Sequence, residues 1–327
     1  WRGERPQDGR FREFTQADID VVGLGELPFH YEVDLPLVMA EALMSLPIPP
    51  VHVLVNNRKV VQGICEGLGV DDVESALRGL DKLDKIGPEG VAEELAEAGL
   101  EQPQIDVLLR MAKIRTEDSK HLRSEVDALG VLSETLTQGL DELCALVEQA
   151  GEAMPGVVLA DLKIARGLDY YTGSVYESEI VGHEDLGSIC SGGRYDSLAK
   201  DGKRSYPGVG LSIGVSRLVS RILSQDMVTA SRKVPTCVVI AVADEEQRQH
   251  CNALATILRK RGIPTDVAPS AAKFGKQIKF ADKRGIPFVW FPGSEGEADT
   301  VKDIRSGEQV QADIYSWQPP VEDLHPS

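Results

Sequence analysis

The chain has 327 residues, 42% of them hydrophobic, and a formal net charge of −17, so it can bury more than one core but must hold any polyanion through local, salt-sensitive basic patches. Its five cysteines (Cys65, Cys144, Cys190, Cys237, Cys251) form no C-x-x-C pair and its six histidines no metal-ligand spacing, which points to a reducing, cytoplasmic setting without structural zinc. No apolar run approaches the length of a membrane span and no signal peptide opens the chain.

Residues 1–23 read as two strands joined by a charged loop. Pro6 and the Asp8-Gly9 pair punctuate the middle, and the second half alternates at the two-residue strand period. Phe11, Thr15, Ala17, Ile19 and Val21 are expected to face a core. Arg10, Arg12, Phe14, Gln16, Asp18 and Asp20 line the opposite face, with Arg2 and Glu4 beside them. A face that runs from guanidinium groups past one aromatic ring to a carboxamide and carboxylates suits a ligand with phosphate at one end and a cation at the other, such as an aminoacyl-adenylate. On periodicity alone, an amphipathic hairpin with a solvated charged face is the simpler reading. Residues 32–46 then read as a helix and 51–56 as a strand of the same core. Asn57-Arg58-Lys59-Val60 opens a new region, and from about Val60 to Met154 the pattern is almost continuously helical, with breaks at Gly87-Pro88 and Pro103. Taken alone, this stretch is a helical spacer with solvated charged faces.

Arg166-Gly167-Leu168-Asp169-Tyr170-Tyr171-Thr172-Gly173 leads into the strand-like Ser174-Val175-Tyr176-Glu177; by itself it is an ordinary turn with an aromatic pair. In Ser191-Gly192-Gly193-Arg194-Tyr195-Asp196-Ser197-Leu198 the glycine pair lets backbone approach a ligand and Tyr195 can offer a hydroxyl, although a plain β-turn accounts for it equally. The run from Pro207 to Leu218 spaces its glycines G-x-G-x-x-x-G, which fails the dinucleotide fingerprint. Small residues at Gly208, Gly210, Ser212 and Gly214 are expected to leave room for a nucleotide. Pro235 marks a boundary. Beyond it an apolar strand (236–243), a helix (244–261), a strand (265–267), a helix (271–284) and a strand (288–291) predict a small α/β domain with parallel strands. Lys273, Lys276, Lys279 and Lys283 form a basic face of its second helix, usually only solvated, beside an apolar stripe of Phe274, Ile278 and Ala281.

Four of these segments, in this order, resemble the signature motifs of class II aminoacyl-tRNA synthetases in the form found in histidyl-tRNA synthetases. The opening stretch resembles motif 2, from its Arg-x-Glu element at Arg2 and Glu4 to its Gln-to-acid spacing at Gln16 and Asp20. The segments at Arg166 and at Ser191 resemble the two histidine-specific motifs, and Pro207 to Leu218 resembles motif 3. The resemblance implies that Arg2, Glu4, Arg10 and Phe14 bind ATP, the arginines at its phosphates and Phe14 on adenine. Arg217 would reach the γ-phosphate. It further implies that Gln16 and Asp20 face the amino acid, with Asp20 opposite the ammonium group, and that Tyr170, Tyr171 and Tyr195 border histidine. Arg166 would contact histidine as well, sit at the reacting α-phosphate and, with Arg2, act catalytically. Two positions depart from the family: Ser197 stands where glycine is usual, and Ser216 where glutamate often precedes the arginine.

The implied fold is α/β: an antiparallel catalytic sheet (1–59 and 155–232), a helical insertion (60–154) and a C-terminal α/β anticodon-binding domain (235–320). The implied activity is formation of histidyl-adenylate from L-histidine and ATP, with Mg²⁺ on the phosphates, and transfer to tRNA(His) by a homodimer with no membrane association. The family's motif 1 and a further substrate-binding segment normally precede motif 2, so the chain is expected to lack an N-terminal part. The competing readings are a catalytically silent paralogue serving as regulatory subunit of ATP phosphoribosyltransferase, and a generic RNA-binding module. The C-terminal domain and the arginines at 166 and 217 oppose the former; the phosphate and amino-acid residues would lack a purpose in the latter.

Overall fold

The computed structural model describes residue 3 and residues 11–165, 170–294 and 296–327. Two compact units divide the chain, Trp1–Val228 and Thr229–Ser327.

The first unit is built on a seven-stranded sheet. Its strands are β1 (Ala17–Val22), β2 (Val51–Asn57), β3 (Arg115–Thr116), β4 (Val158–Asp161), β5 (Ser174–Ile180), β6 (Cys190–Tyr195) and, beyond the two-stranded hairpin of β7 (Lys200–Asp201) and β8 (Arg204–Ser205), β9 (Gly208–Ile213). They lie in the order β1-β9-β6-β5-β2-β4-β3, antiparallel except for the parallel pair β2 and β4. A parallel pair needs a long crossover. Here the crossover is the helical stretch, α2 (Arg58–Gly67), α3 (Val73–Leu80), α4 (Leu83–Glu97), α5 (Gln102–Met111), α6 (Ser119–Asp127) and α7 (Glu134–Ala153), preceded by α1 (His30–Met44).

Local chemistry accounts for the breaks in that stretch. Asn57 ends β2 and starts α2, its side chain accepting from Lys59 N. Gly87 takes φ 74° and ψ 173° just before Pro88 and interrupts α4, and Pro103 stands in the first turn of α5 behind a capping box of Glu101 and Gln104. The helices are not a detached spacer. Val60, Val61 and Ile64 of α2 and Leu136, Leu140, Leu143 and Val147 of α7 share one core with Val53 and Val55 of the sheet. At the crossing of α2 and α7, a Cβ on Gly63 would stand 2.2 Å from Leu136 N, so the two backbones touch where only glycine fits.

Helix α1 lies on the sheet through Val33, Leu35, Met39, Ala40 and Leu43. Pro36 inside it has no N–H to give the carbonyl of Glu32. The hydroxyl of Tyr176, buried on β5, supplies that bond at 2.9 Å, so a helix defect is repaired by the sheet beneath it.

One expectation for β1 fails. Its odd face was to be buried, yet Ile19 is 43% exposed and Phe11 39%; of that set only Val21 packs against the core. The reason is position: β1 is the end strand of the described sheet, and α1 packs chiefly on β2 and β9, further in.

The second unit is a five-stranded sheet in the order β11-β10-β12-β13-β14, from β10 (Val238–Ile240), β11 (Thr265–Val267), β12 (Phe288–Phe291), β13 (Thr300–Asp303) and β14 (Gln309–Gln311). The first three are parallel, as α9 (Arg248–Lys260) and α10 (Phe274–Arg284) require; β13 and β14 add an antiparallel edge. That edge has little apolar alternation, and β14 is exposed throughout, so periodicity does not reveal it. The stripe of α10 also differs from expectation. Its buried residues are Gln277 and Ala281, while Phe274 is 42% exposed. Gln277 closes the end of β10, accepting from Val242 N at 2.9 Å and donating to Val242 O at 2.8 Å, which makes a polar residue the right occupant.

Candidate active site

Pairing in the first unit fixes which side chains share a face. Asp18 and Asp20 of β1 oppose Ser212 and Gly210 of β9, which oppose Ser191 and Gly193 of β6, whose Tyr195 opposes Gly208. This is the even face of β1, and its parity agrees with the sequence reading. The glycines, however, serve a different purpose from the one expected. A Cβ on Gly210 would stand 2.0 Å from Asp20 Oδ1, one on Gly208 2.4 Å from the Tyr195 ring, and one on Gly193 2.8 Å from the Tyr171 ring. The space over them holds the site's own side chains, which lie flat on a floor of glycine.

At this end of the trough the Tyr195 hydroxyl donates to Asp20 Oδ1 at 2.8 Å. Burial first, then the hydrogen bond and charge of Asp20, push the Tyr195 hydroxyl up to about 12, so it stays protonated. Its proton is committed to Asp20, and the hydroxyl oxygen and the second Asp20 oxygen are left to accept N–H groups from a ligand. Tyr171 packs on Tyr170 with ring centroids 4.2 Å apart, and burial foremost, with Tyr170 and Asp20 contributing, holds its hydroxyl well above the usual range. Tyr170 is 45% exposed.

The other end carries different residues. Gln16 Nε2 donates to Ser212 Oγ at 2.5 Å, and Thr15 N donates to Ser216 Oγ at 2.9 Å, which ties the chain just after the half-buried Phe14 to the start of α8 (Val215–Ser224). Arg217 lies on the first turn of α8 and donates to Leu186 O at 2.9 Å. Phe14, Ser216 and Arg217 thus stand beyond Ile213, and Asp20, Tyr195 and Tyr171 near Gly208 and Gly210. Arg2, Glu4, Arg10 and Arg166 lie outside the described residues.

The sequence reading missed what braces this trough. Glu32, 2% exposed, accepts from Arg194 Nη1 at 2.6 Å and from Ser174 N at 3.1 Å. Arg194 also donates to Asp196 Oδ1 at 3.1 Å, whose other oxygen takes the Thr172 hydroxyl at 2.5 Å. These bonds join α1, the Tyr170–Tyr171 segment and the strand that carries Tyr195. A signal was present: Glu32 shares a helical face with Pro36, Met39 and Leu43, all buried, and an acid there needs a partner.

The five cysteines are buried free thiols; burial pushes Cys65 and Cys190 up to about 12 and Cys237 to about 11, so these three are not nucleophiles at neutral pH. Among the described residues, no helix is long and apolar enough to cross a membrane.

Residues 1–218 match the family model described as histidyl-tRNA synthetase, and residues 236–316 the one described as anticodon binding domain. The chain is 56% identical to a histidine-tRNA ligase of Micrococcus luteus over 330 residues, covering all of this chain and 72% of that protein. It is 53% identical to one of Cutibacterium acnes over 335 residues, covering all of this chain and 74% of the other. Among solved structures, histidyl-tRNA synthetase from Nostoc sp. PCC 7120 aligns at a TM-score of 0.82 and 34% identity, over 92% of this chain and 72% of that one. A Bacillus halodurans structure described as an ATP phosphoribosyltransferase regulatory subunit/histidyl-tRNA synthetase aligns at 0.64 and 19% identity over 86% of this chain and 69% of that one, a likeness of fold alone.

Proposed function

The chain belongs to the histidyl-tRNA synthetase family, and on that premise we propose how its trough divides the work between amino acid and nucleotide. The activity is that of a ligase: histidine and ATP form histidyl-adenylate and pyrophosphate, and the terminal ribose hydroxyl of tRNA(His) then attacks the acyl carbon and releases AMP. Histidine occupies the Gly208–Gly210 end, where Asp20 and the Tyr195 hydroxyl accept its N–H groups and Tyr171 walls the ring. ATP lies toward α8 with Phe14 on adenine and Gln16 between the two ligands. Arg217 takes the γ-phosphate, while Arg2, Glu4 and Arg10 hold the rest of the nucleotide.

No proton need move in the first step. The histidine carboxylate attacks the α-phosphorus, the bond to pyrophosphate breaks, and charge grows on the phosphate oxygens, where Arg166 and Arg2 stabilise it. Mg²⁺ brought in with ATP would neutralise charge on the leaving pyrophosphate. Selection of histidine follows from the acceptors at Asp20 and Tyr195, since an analogue without matching N–H groups leaves them unpaired.

The single observation that carries this reading is the Asp20–Tyr195 pair lying on glycine at the end of the trough away from Arg217. Histidine-dependent exchange of pyrophosphate into ATP tests it, and absence of exchange would favour a silent paralogue. Asp20→Asn is expected to raise the histidine KM by about 10–100-fold, the loss of one charge-assisted hydrogen bond, with a smaller change for ATP. Phe14→Ala should do the reverse. Equal losses for both ligands in both variants would refute the division of the trough.

The domain assignment rests on the same premise: a catalytic core of 1–59 with 155–232, an insertion of 60–154 that approaches the tRNA acceptor arm, and an anticodon-binding domain of 235–320, supported by the second family match. The exposed Lys273, Lys276, Lys279 and Lys283 fit a surface for RNA. The working form is read as a cytoplasmic homodimer. Removal of the chain from Thr229 onward should impair tRNA charging far more than exchange, because the trough residues all precede that position; equal falls in a stable truncated protein would count against this assignment.

A further inference from the structure

The hairpin of β7 and β8 has no part in the trough, yet it is fastened to its edge. Lys200 pairs with Ser205 and Asp201 with Arg204 across a two-residue turn of Gly202 and Lys203. Gly202 has φ 59°, the arrangement of a tight hairpin turn with glycine in its first central position. At its base, the Ser205 hydroxyl donates to Asp196 O at 3.0 Å, and Gly25 N, just past β1, donates to Ser205 O at 2.9 Å. The hairpin therefore stands on Asp196, which Arg194 and Thr172 already hold, at the Asp20–Tyr195 end.

Its side chains set it apart in an acidic protein. Lys200, Lys203 and Arg204 fall within five positions, all are exposed, and among the described residues no hydrogen bond or ion pair holds their side chains. Elsewhere in the unit, Arg58, Lys59, Lys82, Arg123 and Lys163 each carry a carboxylate partner, and the exposed Lys85, Lys113 and Lys120 stand singly, so it is the clustering of three cations that marks the hairpin. With 52 acidic against 35 basic residues, carboxylate partners are plentiful, so three adjacent cations without one among the described residues suit an anion from outside.

ATP is not that anion. Arg217 stands beyond the far end of β9, and the five steps from Gly208 to Ile213 span about 17 Å at roughly 3.4 Å per residue. The polyanion that must come to the amino-acid end is the one whose ribose hydroxyl takes the acyl group. We propose that the β7–β8 hairpin is a phosphate-binding lip that holds the single-stranded 3′ end of the tRNA through Lys200, Lys203 and Arg204. The proposal rests on the ligase reading above and adds a tRNA contact to it.

The test is the triple substitution Lys200→Gln, Lys203→Gln and Arg204→Gln in the full protein, beside a charge-keeping control of Lys200→Arg, Lys203→Arg and Arg204→Lys. For the neutral variant, exchange and the KM values for ATP and histidine should stay within about twofold of wild type. Its tRNA KM should rise about tenfold or more, and the log–log dependence of charging on salt should flatten by about 2, the release of counterions from three single-strand phosphates. The control should behave as wild type. An unchanged tRNA KM and salt slope, with normal exchange, would overturn the lip. So would an ATP KM that rose as much as the tRNA KM, since the anion would then be the nucleotide. Wild-type protein without histidine-dependent exchange would overturn the ligase reading, and the lip with it.

Discussion

Replacement of Arg166 by alanine should slow histidine-dependent pyrophosphate exchange by about 10²–10³-fold, the loss expected when one preorganised charge-stabilising group is removed. Arg166 is outside the described residues, but the chain on both sides of it is anchored. Before it, buried Asn56 donates to Ile164 O at 2.8 Å; after it, Thr172 N donates to Arg194 O at 2.8 Å. A cation fixed at the reacting phosphate stabilises the charge that grows there more than it stabilises the ground state. Folding should be little altered, because neither anchor uses the Arg166 side chain. Thermal unfolding and the exchange rate would be measured together. A folded variant that exchanged at the wild-type rate would remove Arg166 from catalysis.

Glu32→Ala should cost about 3–5 kcal/mol of stability, the usual penalty for breaking a buried ion pair from one side. The loss has two parts: among the described residues Arg194 keeps only Asp196 as a carboxylate partner, and Ser174 N loses its acceptor inside the core. Glu32→Gln, which retains an oxygen for Ser174 and nearly the same shape, should be milder. Both should raise the histidine KM more than the ATP KM, since Arg194 immediately precedes Tyr195 and its bond to Asp196 reaches the Tyr170–Tyr171 segment through Thr172. Denaturant midpoints and the two KM values decide the matter. A midpoint equal to wild type would show that the pair is not structural, and equal changes in both KM values would show that it does not position the histidine end.

Several features of this protein are written locally and can be read locally. Alternation puts Asp18 and Asp20 on one face of β1 because successive strand residues point to opposite sides whatever surrounds them. The break at Gly87-Pro88 and the three parallel strands of the second unit follow from turn chemistry and from strand-helix alternation. The family, too, is legible, because its motifs are short runs whose order survives without any knowledge of contacts. What such patterns lack is the identity of the neighbour across a long loop. Asp20 and Tyr195 are 175 positions apart, Glu32 and Arg194 162, and only the sheet order brings them together. Burial of β1 was misjudged for the same reason: a face is apolar by sequence but covered only if another layer reaches it. Periodicity thus determined which way side chains point, while the tertiary structure decided what they meet, because side-chain direction depends on one strand's pleat and burial on the placement of every other element.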